Sequence, residues 1–213
     1  MKVRTVARNI FLLTFPTRRE LCSTLLRFEE YYESPRFKGR IFTFDEYRKW
    51  YVKNSPKGKK TGRFTYYSDW SGFNIPSYAL KPFYEGKFDP LSREEKLVLE
   101  RFRKYGTFYI IAISANPNKD ILRHEIAHGL FYTNAKYKRE ILKAIGKIIP
   151  KTRKQINDYF KKYNGYHQDV WTDETHAYVM TELSHLKRHD VDIRGLKSLR
   201  DELNSVFEKY YNK

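Results

Sequence analysis

The chain has 213 residues, 40% of them hydrophobic, with 18 Tyr and 15 Phe. That is enough apolar material for one domain with a real core, and it excludes a disordered chain. The formal net charge of +17 favours acidic partners such as nucleic acid, an anionic membrane surface or an acidic protein. Cys22 is the single cysteine, which excludes a disulfide scaffold and fits a reducing compartment. No apolar run approaches the roughly 20 residues of a membrane span.

The chain opens with MKVRTVARNIFLLTFPTRRELC, a short apolar patch from Ile10 to Phe15 between basic residues, broken by Pro16. The patch is too short for a signal peptide, and Glu20-Leu21-Cys22 lacks the small residues of a lipoprotein cleavage site, so a cytosolic protein is expected. Four helix starts carry capping-box spacing: Thr17 with Glu20, Thr43 with Glu46, Ser92 with Glu95 and Thr152 with Gln155. They predict helices near 18–33, 44–53, 93–105 and 153–162, the last ended by Asn164-Gly165. Cys22, within the first of these, reads as buried more than as reactive.

Between 54 and 90, Gly, Pro, Ser and Asn alternate with Phe64, Tyr66, Tyr67, Trp70, Phe73, Tyr78, Phe83 and Tyr84. Short strands and ordered loops pinned by buried rings are expected, with a substrate-binding wall as the alternative. Residues 107–114, TFYIIAIS, form the best strand. Asn116-Pro117-Asn118 turns the chain, and Asp120 can cap a helix from Ile121 to about Tyr132. Everything after 120 reads as helical.

That helix carries His124-Glu125-Ile126-Ala127-His128. Histidines four apart share a helix face, so both imidazoles reach one metal ion from a rigid support. Glu125 stands about 100° around the helix, close enough to take a proton from a metal-activated water without being a ligand. With six His in the chain the pattern arises by chance roughly 0.01 times. Zinc, one ion per chain, is the expected metal. His185 and His189 repeat the spacing without an intervening Glu, in a run that reads as solvated.

Residues 136–162 hold eight Lys and two Arg against Glu140 and Asp158, a net of +8. Tyr137, Ile141, Ile145 and Ile148 give this stretch an inward face. The lysines then form a solvated face, or a surface for nucleic acid or an acidic partner.

The HExxH helix after a strand resembles the zincin metallopeptidases over residues 107–132 and a later helix. The metzincin branch does not fit, since Phe131 and Asn134 stand where it requires Gly and His. Trp171-Thr172-Asp173-Glu174-Thr175-His176-Ala177-Tyr178 is similar to the gluzincin arrangement, in which a second helix supplies a glutamate. The resemblance implies Glu174 as third ligand, with His167 and then Asp173 as rivals. It also implies a catalytic role for Tyr178, four residues on, as oxyanion donor. His176 should point away. The fourth position after Glu174 departs from the thermolysin-like Glu-x-x-x-Asp, which leaves Asp173 or Asp169 to orient a ligand histidine.

The expectation is thus an α+β, zincin-like fold in a single domain, 1–213. It would have N-terminal helices in 1–53, the aromatic region in 54–118 and a helical zinc-binding part in 119–213. Residues 107–114 would be an edge strand that pairs with substrate. Subsite walls would lie in 54–90 and 163–171. The expected activity is cleavage of a peptide or protein substrate; the alternative is a nucleic-acid- or acidic-partner-binding protein whose zinc site is structural or inactive.

Overall fold

The computed structural model describes residues 1–34, 36–114, 119–164 and 168–211, the side chains of 119, 120, 163 and 164 excepted. The turn at 116–118, the Asp120 cap, the helix end at Asn164-Gly165 and the rival ligand His167 fall outside that description. The fold is mixed α and β with a small four-stranded sheet. It divides into two compact units, Met1–Asn116 and Pro117–Lys213.

In the first unit the sheet order is β1 (Lys2–Ala7), β2 (Ile10–Thr14), β4 (Tyr109–Ile113), β3 (Gly72–Pro76). The opening segment is a hairpin: β1 pairs antiparallel with β2, and Asn9 at the turn takes φ 62°. Asn tolerates that left-handed conformation better than most side chains. β2 runs parallel to β4, and β3 antiparallel to it. The strand expected at 107–114 therefore exists, but it is an interior strand and not an edge. Tyr109 to Ala112 are buried without a break, as an interior strand requires. The edges are β1, which turns Lys2 and Arg4 outward in a way that discourages further pairing, and β3.

Helix α1 (Arg18–Glu33) buries Leu21, Cys22, Leu25, Leu26 and Phe28 against the sheet face that carries Phe11, Leu13, Ile75 and Ile110. Burial pushes the Cys22 thiol up to about 12, so it is an inert core residue. Helices α2 (Phe44–Asn54) and α6 (Arg93–Phe102) both begin with complete capping boxes, Thr43 with Glu46 and Ser92 with Glu95. α6 ends three residues before the expected 105. Arg27 of α1 grips Glu95 with two hydrogen bonds (2.7 and 2.5 Å) and also donates to the Phe88 carbonyl at 2.9 Å. That bidentate pair locks α1 to the start of α6.

Residues 54–90 contain one strand, not several. Around β3 lie the short helices α3 (Pro56–Thr61), α4 (Tyr66–Asp69) and α5 (Lys81–Tyr84). Tyr66, Phe73, Phe83 and Phe88 are buried in this unit's own core, with Phe83 stacked on Phe88 at 3.8 Å. The rings pin the loops.

The second unit is helical among its described residues: α7 (Lys119–Thr133), α8 (Ala135–Ile145), α9 (Pro150–Tyr159), α10 (Trp171–Thr181), α11 (Leu183–Arg188) and α12 (Leu196–Tyr211). α8 turns Tyr137, Ile141 and Ile145 inward. α9 begins at Pro150, not at 153, because proline at the first helical position loses no hydrogen bond there. Gln155 forms no capping box. Its amide instead accepts from the Asp192 backbone N–H at 3.1 Å and donates to the Asp190 carbonyl at 3.3 Å, tying α9 to the loop after α11. No helix of the described residues is long and apolar enough to cross a membrane.

Candidate metal centre

Two helices build the site. α10 packs along α7, and α8 and α12 pack on α10. Seven consecutive α10 residues, Glu174 to Met180, are buried. A helix enclosed on all sides cannot leave a polar side chain unpaired without cost. Glu174, His124 and His128 are each at most 7% exposed. On α7, the small Ala127 and Gly129, on either side of His128, are buried and permit close approach.

The three residues converge. His124 Nε2 lies 3.9 Å from Glu174 Oε2, and His128 Nε2 lies 3.8 Å from Glu174 Oε1. One donor atom from each residue falls within 4.8 Å of the others. Ligands on one tetrahedral zinc stand roughly 3.4 Å apart, so side-chain movements of up to about 1.4 Å would close the set.

The far side of each imidazole fixes which nitrogen is offered. The Thr181 hydroxyl donates to the Ala177 carbonyl at 2.8 Å, so its oxygen can only accept at His124 Nδ1, 3.0 Å away. Glu182 Oε1 lies 3.1 Å from the same nitrogen. His124 Nδ1 therefore carries the proton, and the Nε2 lone pair is left facing Glu174. At His128, Asp173 Oδ1 lies 3.0 Å from Nδ1 and has the same effect. Two lone pairs and a carboxylate aimed at one point, with the outer nitrogens held by acceptors, are what a metal site needs. The group could hold a metal ion.

Electrostatics follow the same pattern. Burial disfavours charge at Asp173, but the imidazoles of His128 and His176 outweigh it and hold the carboxyl well below its usual range. Burial likewise works against charge at His128, yet Asp173 and Glu174 raise its pKa well above the ordinary value, so a metal ion would compete with a proton for its Nε2. His176 is fully enclosed, and burial lowers its pKa. The hydrogen bond from His124 keeps Glu182 ionised despite partial burial.

Glu125 follows His124 on α7 and is half-buried. The Tyr178 ring lies 5.3 Å from the His124 ring, one turn along α10 from Glu174. His176 is outside the ligand group, as its place on the helix predicts. It is nevertheless not idle: it stacks on Phe131 at 5.1 Å, and its Nδ1 lies 3.2 Å from Asp173 Oδ1. Asp173, one of the two expected orienting acids, stands at His128, whereas Asp169 is exposed. His185 and His189 are half-buried around Tyr159 and not solvated, with ring separations of 5.7 and 5.1 Å. Thr181 and Glu182 were not legible in advance. They stand where α10 gives way to a non-helical residue, Glu182 at φ −126°, and no periodicity marks such a position.

Comparison with protein-family models, with curated proteins and with solved structures found no match for this chain.

Proposed function

We propose that the chain is a zinc-dependent peptidase of gluzincin-like chemistry, with His124, His128 and Glu174 as ligands and Glu125 as general base. The observation that carries this reading is the pair of Nε2 lone pairs converging on Glu174 while Thr181, Glu182 and Asp173 hold the Nδ1 atoms. Two imidazoles and one carboxylate suit zinc and leave a fourth position open. Zinc bound there would acidify a water and polarise the carbonyl of the scissile bond.

The protein's own groups do the rest. Glu125 takes the water's proton as the oxygen attacks the carbonyl carbon, then passes it to the leaving nitrogen as the C–N bond breaks. Tyr178, beside His124 and on the Glu174 side of α10, is the candidate hydroxyl donor to the oxygen that gains negative charge. Asp173 and the Thr181–Glu182 pair keep the two imidazoles from rotating.

Elemental analysis of protein purified without added metal should find about one zinc per chain. Glu125→Gln should keep that zinc and lose hydrolysis of an unfolded protein such as casein by about 100-fold or more, since Gln has the shape of Glu and cannot take a proton. No metal uptake on titration, or undiminished hydrolysis by the variant, would overturn the reading.

A further inference from the structure

Behind His124 the second unit holds an open groove of about 440 Å³, lined by Ile121, Thr181, Glu182, Ser184, His185 and Arg188, of which Ile121, Ser184 and Arg188 are exposed. It borders the centre directly, because Thr181 and Glu182 are the residues that hold His124 Nδ1. It also runs along the side of α7 that carries Glu125, since Ile121 lies four residues before Glu125 and shares its face.

The walls differ from the His124 end to the Arg188 end. The Thr181 proton is spent on Ala177, and Glu182 is engaged by His124. No carboxylate of the described residues stands within ion-pair distance of Arg188. One Arg188 nitrogen lies 3.4 Å from His185 Nδ1. Because guanidinium only donates, that nitrogen of His185 accepts, and the Nε2–H is left as a donor. Arg188, His185 Nε2 and the Ser184 hydroxyl thus supply donors and a positive charge, Ile121 supplies apolar contact, and the ionised Glu182 stands at the His124 end of the wall, outside ion-pair distance of Arg188. Such a pocket is complementary to a carboxylate on a short aliphatic stem.

We propose that this groove is a substrate subsite for a peptide carboxylate, so that the enzyme selects acidic peptides, with Arg188 as the residue that sets the preference. The proposal rests on the peptidase reading for its place in catalysis, but not for the binding itself. The carboxylate can come from an Asp or Glu side chain or from a peptide C-terminus, and the two are separable.

Zinc-loaded Glu125→Gln protein, which would hold peptide without cutting it, is titrated by NMR with acetylated, amidated decapeptides carrying one central Glu or one central Gln. A third peptide carries the Gln and a free C-terminus. The His185 ring signals should move with the Glu peptide, which should bind about tenfold more tightly than the Gln peptide. One charge-assisted contact accounts for that ratio, about 1.4 kcal/mol. Arg188→Gln should erase the difference. Tighter binding of the free-C-terminus peptide instead would assign the pocket to a terminal carboxylate. In parallel, wild-type protein digests a mixture of proteome-derived peptides, where cleavage should concentrate at one fixed distance from Asp, Glu or the C-terminus. Charge-dependent binding without cleavage keeps the pocket and overturns the peptidase. Cleavage indifferent to acids, with equal binding of Glu and Gln peptides, overturns the pocket and keeps the peptidase. Equal or absent binding with no cleavage overturns both.

Discussion

Asp173 Oδ1 stands 3.0 Å from His128 Nδ1 and 3.2 Å from His176 Nδ1, so one carboxylate oxygen lies beside two imidazoles. Only one of them faces Glu174. The difference gives a ranking for three substitutions. Glu174→Ala removes one of three donors from the group and should weaken metal binding most. Asp173→Asn keeps the shape but replaces a charged acceptor, and should cost about 10- to 100-fold in metal affinity. His176→Ala leaves the donors in place but opens a hole between Phe131 and Tyr137. It should cost about 2 kcal/mol or more of stability, with a smaller effect on affinity. Competition titrations with a chromophoric chelator, beside thermal melts, separate the two kinds of loss. If His176→Ala weakened the metal more than Glu174→Ala, the assignment of the α10 face would be wrong.

At the scale of elements, α1 and α10 both carry carboxylates into an interior, with opposite outcomes. In α10 the acids meet imidazoles. In α1, Glu29 and Glu30 meet mainly hydroxyls and other acids. Burial drives Glu29 well above its ordinary value, and the neighbouring Glu33 and Glu30 carboxyls push it further the same way. Burial also raises Glu30, against hydrogen bonds from Tyr66, Tyr47 and Ser34. A carboxyl whose folded pKa lies above its unfolded one contributes stability that is complete below the unfolded value. That contribution is lost as pH rises through the folded value. The first unit should therefore lose stability as pH rises above the ordinary carboxylate range. Glu29→Gln should remove much of that loss, since a tenfold difference in proton affinity between the folded and unfolded chain is worth about 1.4 kcal/mol. Urea unfolding of both proteins at several pH values tests this. The variant's advantage should widen with pH, and parallel curves would show that Glu29 does not titrate with folding.

For the whole molecule the dominant fact is a net charge of +17. Its densest part, residues 136–162, is partly neutralised within its own unit. Lys147 pairs with Glu202 at 2.6 Å, and Lys154 with Asp158 at 2.6 Å. Lys143 and Lys151 remain exposed. A solvated face of this kind should bind a single-stranded oligonucleotide only at low salt, with the affinity gone by about 0.2 M. Lys143→Glu with Lys151→Glu should abolish even that without changing metal content. Fluorescence anisotropy across a salt series measures it. Tight binding that persists at 0.2 M would instead make this surface a nucleic-acid site in its own right.

What could be read from the chain alone is local. HExxH spacing places two imidazoles on one helix face because the helix repeat is fixed by the backbone. Ser or Thr three residues before Glu marks a helix start for the same reason, and two of the four such pairs form complete boxes. The run from Tyr109 to Ile113 could only be a strand. Its neighbours were another matter. An apolar strand reads alike at an edge or in the interior, and only pairing with both β2 and β3 decides. The opening hairpin was hidden because a six-residue apolar patch beside arginines has no periodicity to separate a strand from a leader. Glu174 could be named from a resemblance, but its meeting with His124 and His128 required α10 to lie along α7. The hold on the outer nitrogens required more: Thr181 and Glu182 come 57 and 58 residues after His124, and no local signal connects groups so far apart along the chain. Contacts of that range are set by which helix buries which face, and burial is a property of the packed structure alone.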